Sequence, residues 1–212
     1  GTGSRGVVAA CSYETRKYGV RSGMAMKMAK QLCPQAIVIR GNAGTYMKYS
    51  NLITDIIRDS VPLFEKTSVD EFYVDLTGMD RFFGNYKFAS ELRKRIIKES
   101  GLPISFGLSQ NKIVSKVATG EAKPNNQLKI DYGFEKAFLA PLPIRKIPMI
   151  GKAAAQTLIH LGIDRVKLIQ EMPVEMLTSV MGKNGQTIWN RANGIDNTPV
   201  IPYCERKSIS IE

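Results

Sequence analysis

The stretch LFEKTSVDEFYVDL, residues 63–76, carries two runs with apolar residues around a short polar centre, the second of them alternating apolar and polar side chains. In the second run Phe72, Val74 and Leu76 alternate with Glu71, Tyr73 and Asp75, so one strand face is buried and the other is polar. The spacing predicts two strands meeting near Ser68–Asp70 in a hairpin. On an ideal strand Asp70 and Glu71 point to opposite faces, but at a hairpin tip the backbone bends and both carboxylates can reach one point. Adjacent acids on a rigid turn suit Mg2+, which takes hard oxygen ligands and completes its shell with waters or substrate phosphates. Turn acids that only solvate a loop are the alternative reading of the same residues.

Outward from this hairpin the pattern alternates between strands and helices. GVVAAC (residues 6–11) reads as a short buried strand, and residues 37–39 as another. Met24, Met26, Met28 and Ala29 supply apolar packing surface between them. Residues 42–60 carry Tyr46, Tyr49, Ile53, Ile56 and Ile57 at helical spacing, and Pro62 stops that helix. Downstream, residues 88–98 read as a helix, 104–108 as a strand, and 111–122 as a helix ended by Pro124. This order predicts an α+β fold, a mixed sheet covered by helices. After about residue 131 the character changes. A proline-rich stretch at 139–148 leads into short helices broken by Gly151, Gly162, Pro173, Gly182 and Gly194. An all-helical subdomain is expected there, with a boundary near 125–140 and Trp189 in its core. His160, among apolar neighbours, is expected to be a buried structural histidine.

Composition narrows the function classes. The 212 residues hold 30 Lys and Arg against 19 Asp and Glu, a net charge of +11 that favours polyanionic partners. With 43% hydrophobic residues, wholesale disorder is excluded, and no uncharged run approaches a membrane span. Cys11, Cys33 and Cys204, odd in number and far apart, make neither a disulfide framework nor a zinc knuckle. A reduced, cytoplasmic setting is therefore expected. Two cationic clusters accompany the acidic hairpin: YETRKYGVR (residues 13–21), and the helix bearing Lys112 and Lys116 with Lys123 just before Pro124. Arginine's planar fork and lysine's point charge are the two usual holders of a triphosphate. Either cluster alone also fits a solvated helix face.

Four segments, RGVVAACSYETRKYGVRSGM, SVDEFYVDLTG, GLSQNKIVSKVATGEAKPN and IPMIGKAAAQTLIHLGI, resemble in sequence and in order those of Y-family translesion DNA polymerases. The likeness is to the DinB (DNA polymerase IV-like) type of the ImpB/MucB/SamB family, and covers most of residues 5–210. It implies a palm-type mixed β-sheet with covering helices, a small fingers region, and a helical thumb with a helix-hairpin-helix motif. Residues 1–50 would be fingers with an adjoining palm strand, 51–130 palm, 131–200 thumb, and 201–212 the start of a linker. On this resemblance Asp70 and Glu71 are catalytic carboxylates binding two Mg2+ ions. Tyr13, Arg16 and Lys123 hold the incoming nucleotide's phosphates, and Ala9 and Ala10 line the floor under the nascent base pair. Gly151, Lys152 and Ala153 contact a DNA phosphate from the hairpin of the thumb.

The implied activity is low-fidelity, lesion-bypass DNA synthesis on a primer-template from deoxynucleoside triphosphates, with a replication sliding clamp as partner. Two positions depart from the family pattern. Ala10 stands where a hydroxyl residue is frequent, and Met149 where glycine is frequent in the hairpin. The family's first palm aspartate and its little-finger domain have no counterpart in the sequence, so the chain is expected to be an interior fragment with little or no polymerising activity. A cyclase-like palm enzyme and a non-catalytic DNA-binding module are the competing readings.

Overall fold

The computed structural model describes residues 6–79 and 84–202, and the chain divides into two compact units, Gly1–Lys48 and Tyr49–Glu212. In the first unit, α1 (Tyr13–Lys17) is capped by Ser12, whose hydroxyl accepts from the Thr15 N–H at 3.4 Å. Helix α2 (Met26–Leu32) follows, and α3 (Ala43–Ser60) starts from Asn42, whose Oδ1 accepts from Thr45 N–H at 3.2 Å. A small core of Val8, Val20, Met26, Ala29 and Cys33 holds this unit, with Met24 and Val38 packed against it.

The expected strand at 6–11 reduces to a single bridge, Val7 to Ala25. Met26 N–H donates to Gly6 O at 2.8 Å, Val8 N–H to Met24 O at 2.9 Å and Gly23 N–H to Val8 O at 2.8 Å, but Ala9 and Ala10 lie exposed beyond them. Residues 37–39 form no strand among the described residues: Ile37 is 89% and Ile39 84% exposed, and only Val38 turns inward. Of the three methionines Met26 is buried, while Met28 is exposed.

In the second unit the hairpin forms as its alternation requires. Strand β1 (Leu63–Lys66) pairs antiparallel with β2 (Phe72–Asp75), matching Phe64 to Val74 and Glu65 to Tyr73. Phe64, Phe72 and Val74 pack against Ile56, Ile57 and Val61, at the end of α3 and just beyond it, and against Ile96 of α4 (Asn85–Ser100). The opposite face, with Glu65 and Tyr73, carries the polar chemistry. A second sheet is parallel and also two-stranded: β3 (Phe106–Leu108) pairs with β4 (Gln127–Lys129) across the intervening helix α5 (Lys112–Ala122). The mixed sheet foreseen from the sequence is thus carried by two separate strand pairs, one antiparallel and one parallel. Gly107 makes the β3–α5 packing possible, since a Cβ there would lie 2.4 Å from Ser115 O and 2.6 Å from Ala118 Cβ. Arg93 of α4 clamps the other side, donating to Ile104 O at 2.9 Å and to Asn125 O and Oδ1 at 2.7 Å.

The C-terminal half is helical. Helix α6 (Glu135–Leu139), a 3-10 turn (Ile144–Lys146), α7 (Lys152–His160), α8 (Val166–Glu171), α9 (Val174–Met181) and α10 (Asn184–Ala192) follow in turn. Their buried residues Leu139, Leu158, Ile169, Leu177 and Ile188 share one cluster with Val114, Val117 and Ala118 of α5. Trp189 packs against that cluster as expected, its indole N–H donating to Met172 O at 3.0 Å. His160 does not: it is exposed at the end of α7, because α7 turns Ala155 and Leu158, not His160, toward the core. Beyond α10 an irregular segment returns to α5. Asp196 Oδ2 accepts from Ile113 N–H at 3.2 Å, adding a second cap to the one Asn111 provides through Val114 N–H at 3.0 Å. Residues 203–212 of the expected linker lie outside the described residues.

Candidate functional site

Ser68 shapes the hairpin tip. Its hydroxyl donates to Asp70 Oδ1 at 2.7 Å and accepts from the N–H groups of Asp70 at 3.3 Å and Glu71 at 3.1 Å. Thr67 N–H donates to Glu71 O at 3.0 Å and closes the turn. This small network fixes two adjacent carboxylates on an exposed bend, where both are open to solvent. Helix α5 supplies the facing charges. Lys116 Nζ lies 2.8 Å from Glu71 Oε2, and one helical turn earlier Lys112 Nζ lies 2.6 Å from Glu65 Oε2. The two pairs stitch α5 to the polar face of the hairpin.

Their environments differ. Side-chain exposure is 14% for Lys112 and 19% for Glu65, against 42% for Lys116 and 47% for Glu71. Lys112 also sits 4.8 Å from the centroid of the Tyr73 ring and donates to Pro199 O at 3.2 Å. Glu65 Oε2 accepts in addition from Ile201 N–H at 2.8 Å. Burial pushes the Glu65 carboxyl up, but the Ile201 N–H and the Lys112 ammonium together outweigh it and hold the group below its ordinary value. Burial, reinforced by the Glu71 and Glu65 charges, raises the Tyr73 phenol against the opposing pull of Lys116. The Glu71 hydrogen bond raises the Lys116 ammonium. Asp75, at the end of β2, is lowered by hydrogen bonds from Thr77, whose N–H lies 2.8 Å from its Oδ1.

Among the described residues no group of three His, Cys, Asp or Glu side chains converges as a metal cage. The donor chemistry at Asp70 and Glu71 nonetheless fits a hard divalent cation: two adjacent carboxylates, anionic oxygens, on a solvent-open bend where waters or phosphates can complete the shell.

The other sequence-predicted residues fall in three places. In the first unit Tyr13 and Arg16 share α1, with the Arg16 guanidinium 5.1 Å from the Tyr13 ring centroid. Arg16 Nε donates to Cys11 O at 3.3 Å, and Ala9 and Ala10 precede it on the exposed loop. In the second unit Lys123 caps the C-terminus of α5, exposed; it is Lys116 that touches a hairpin carboxylate. Sequence reading placed Lys112 and Lys116 in a cationic cluster without their partners, because 47 and 45 residues separate them from Glu65 and Glu71.

Gly151 is the N-cap of α7, and Lys152 and Ala153, both exposed, open that helix. Met149 precedes it with φ 80°, the left-handed conformation that favours glycine. A cavity of about 450 Å3 lies between α5 and this hairpin, lined by Lys116, Arg145, Lys146, Met149 and Gly151 among others.

Known proteins resemble this chain in both sequence and fold. The impB/mucB/samB family matches residues 1–120, and the IMS family HHH motif matches residues 135–163. A DNA polymerase IV of Dehalococcoides mccartyi is 44% identical over 98% of the chain, and the chain spans 54% of that relative's length. A DNA polymerase IV of Pseudomonas aeruginosa is 37% identical, again over 98% of the chain and 60% of the relative. Among solved structures, DinB from Sulfolobus solfataricus superposes with a TM-score of 0.83 at 30% identity, covering 92% of this chain and 58% of that one. An insertion ternary complex of Dbh DNA polymerase gives 0.78 at 29% identity, covering 89% of this chain and 56% of that one.

Proposed function

The chain belongs to the impB/mucB/samB family of Y-family, DinB-like polymerases, and on that premise we propose that it is the catalytic region of a low-fidelity, lesion-bypass DNA-directed DNA polymerase. The observation that carries the reading is the pair Asp70 and Glu71 on a braced hairpin tip, since adjacent fixed carboxylates suit nucleotidyl transfer, in which a primer 3′-OH displaces pyrophosphate from a triphosphate. Bound Mg2+ would supply charge neutralisation on the triphosphate and acidify the attacking hydroxyl. Asp70 and Glu71 would hold it. In the first unit Tyr13 and Arg16 would bind triphosphate oxygens, the guanidinium already oriented over the ring. Ala9 and Ala10, short and exposed, would leave room under a distorted base pair. In the second unit Lys123 would add a further phosphate contact.

The hairpin at 147–151 would hold a DNA phosphate through Gly151, Lys152 and Ala153 without reading sequence. In domain terms, residues 1–50 would act as fingers, 51–130 as palm and 131–200 as thumb. The whole protein would work in the cytoplasm with primer-template DNA, deoxynucleoside triphosphates and a sliding clamp. Among the described residues no helix is long and apolar enough to cross a membrane.

Isothermal titration of a deoxynucleoside triphosphate, with and without Mg2+, tests this. Binding that needs Mg2+ and is lost in Asp70→Ala/Glu71→Ala supports the site; equal binding by both proteins removes the hairpin from it.

A further inference from the structure

Glu71 already has a cation. The Lys116 ammonium stands 2.8 Å from Glu71 Oε2, tethered by a side chain that rises from the middle of α5. The same lysine also lines the 450 Å3 cavity, together with Arg145 and with Lys146, whose Nζ lies 2.7 Å from Glu121 Oε1. It therefore has two places to be: on the carboxylate, or in a cleft that also holds Arg145 and the Lys146–Glu121 ion pair. Its neighbour Lys112 has no such freedom, since Glu65, Pro199 O and the Tyr73 ring enclose it on a face that is more deeply covered.

We propose that Lys116 is a built-in counter-ion for Glu71, which neutralises the hairpin when no divalent cation is bound and must be displaced toward the cleft when one binds. This rests on the reading of Asp70 and Glu71 as cation ligands. A tethered ammonium and a divalent cation compete for the same carboxylate oxygens, so each weakens the other's hold. The cost of displacement is that of a half-exposed ion pair. Removing the lysine should therefore tighten cation binding by about two- to fivefold. Displacement also adds a positive charge to the cleft only when the hairpin is loaded, which ties its attraction for an anion to occupancy of the hairpin. Lys116 is thus a positioning residue that acts through Glu71.

Mn2+ titrated into the full 212-residue chain, with free Mn2+ read by electron paramagnetic resonance, separates the outcomes. Lys116→Met and Lys116→Gln should bind Mn2+ two- to fivefold more tightly than wild type, each with a melting transition showing that it is folded. Lys112→Met, which removes the same charge one turn away, should not. Equal affinity in wild type and both Lys116 variants, or equal tightening in Lys112→Met, overturns the inference while leaving the hairpin as a cation site. Absence of Mn2+ binding in every variant, or binding that survives Asp70→Asn/Glu71→Gln, overturns the reading of the hairpin and the inference with it.

Discussion

Met149 shows how one residue can carry a conformation that its side chain disfavours. Its φ of 80° crowds a Cβ against the backbone, a strain of about 1–3 kcal/mol for a residue other than glycine. The side chain is 50% exposed, so little packing is lost when it is removed. Met149→Gly should therefore raise stability by about 1 kcal/mol after the larger backbone entropy loss of glycine. A higher urea midpoint at unchanged slope would register the gain, and a lower midpoint would show that the thioether packs better than its exposure indicates. At this scale the acidic pair was legible, because a polar tip just before an alternating run has few places to put Asp70 and Glu71. Lys116 as their neighbour was not, since nothing local joins residues 71 and 116. His160 misled because the residues flanking it are apolar, while the helix phase that turns it outward depends on where Leu158 finds its core.

Elements were legible where the chain repeats a pattern long enough to read. Helices α3, α4 and α5 each show several turns of apolar spacing, and β2 shows a clear alternation. Strand β4 escaped notice because Gln127–Lys129 is three residues long and exists only by pairing with β3. The reverse held for residues 6–11, whose β-branched composition suits a strand but whose pairing amounts to one isolated bridge, between Val7 and Ala25.

Two predictions belong to the contacts between elements. Gly107→Ala drives a methyl group into the α5 backbone and should cost at least about 2 kcal/mol, seen as a drop in urea midpoint. The Glu65–Lys112 pair should make stability depend on acidity. The Glu65 carboxyl is held below its ordinary value of 4.5 in the folded chain, so its contribution is complete above that pH. It is lost as pH falls through the lowered folded value. Lys112 and the Tyr73 phenol, itself raised by burial, are the groups facing it. Glu65→Gln should therefore be less stable than wild type at neutral pH, and the gap should narrow below about pH 4. An unchanged gap from pH 7 to pH 3 would count against the pair's role.

Across the whole molecule the net charge of +11 and the four ordered motifs point the same way, to phosphate-bearing partners. Should the chain neutralise about three DNA phosphates, a threefold rise in salt would weaken duplex binding by roughly ten- to twentyfold. A gel-shift or anisotropy series at several salt concentrations would show it, and a flat response would remove the basic surface from DNA binding. Because only two carboxylates stand together at the hairpin among the described residues, primer extension by this 212-residue chain should be undetectable; templated synthesis would show that the pair suffices. The hydrogen bond from Ile201 N–H to Glu65 joins residues 136 positions apart. A ribosome adding about 5–20 residues per second finishes β1 roughly 7–27 s before that partner has been made. Through that interval the hairpin waits with its inner carboxylate short of a donor, and a segment made much later completes the setting that the earlier strand already needs.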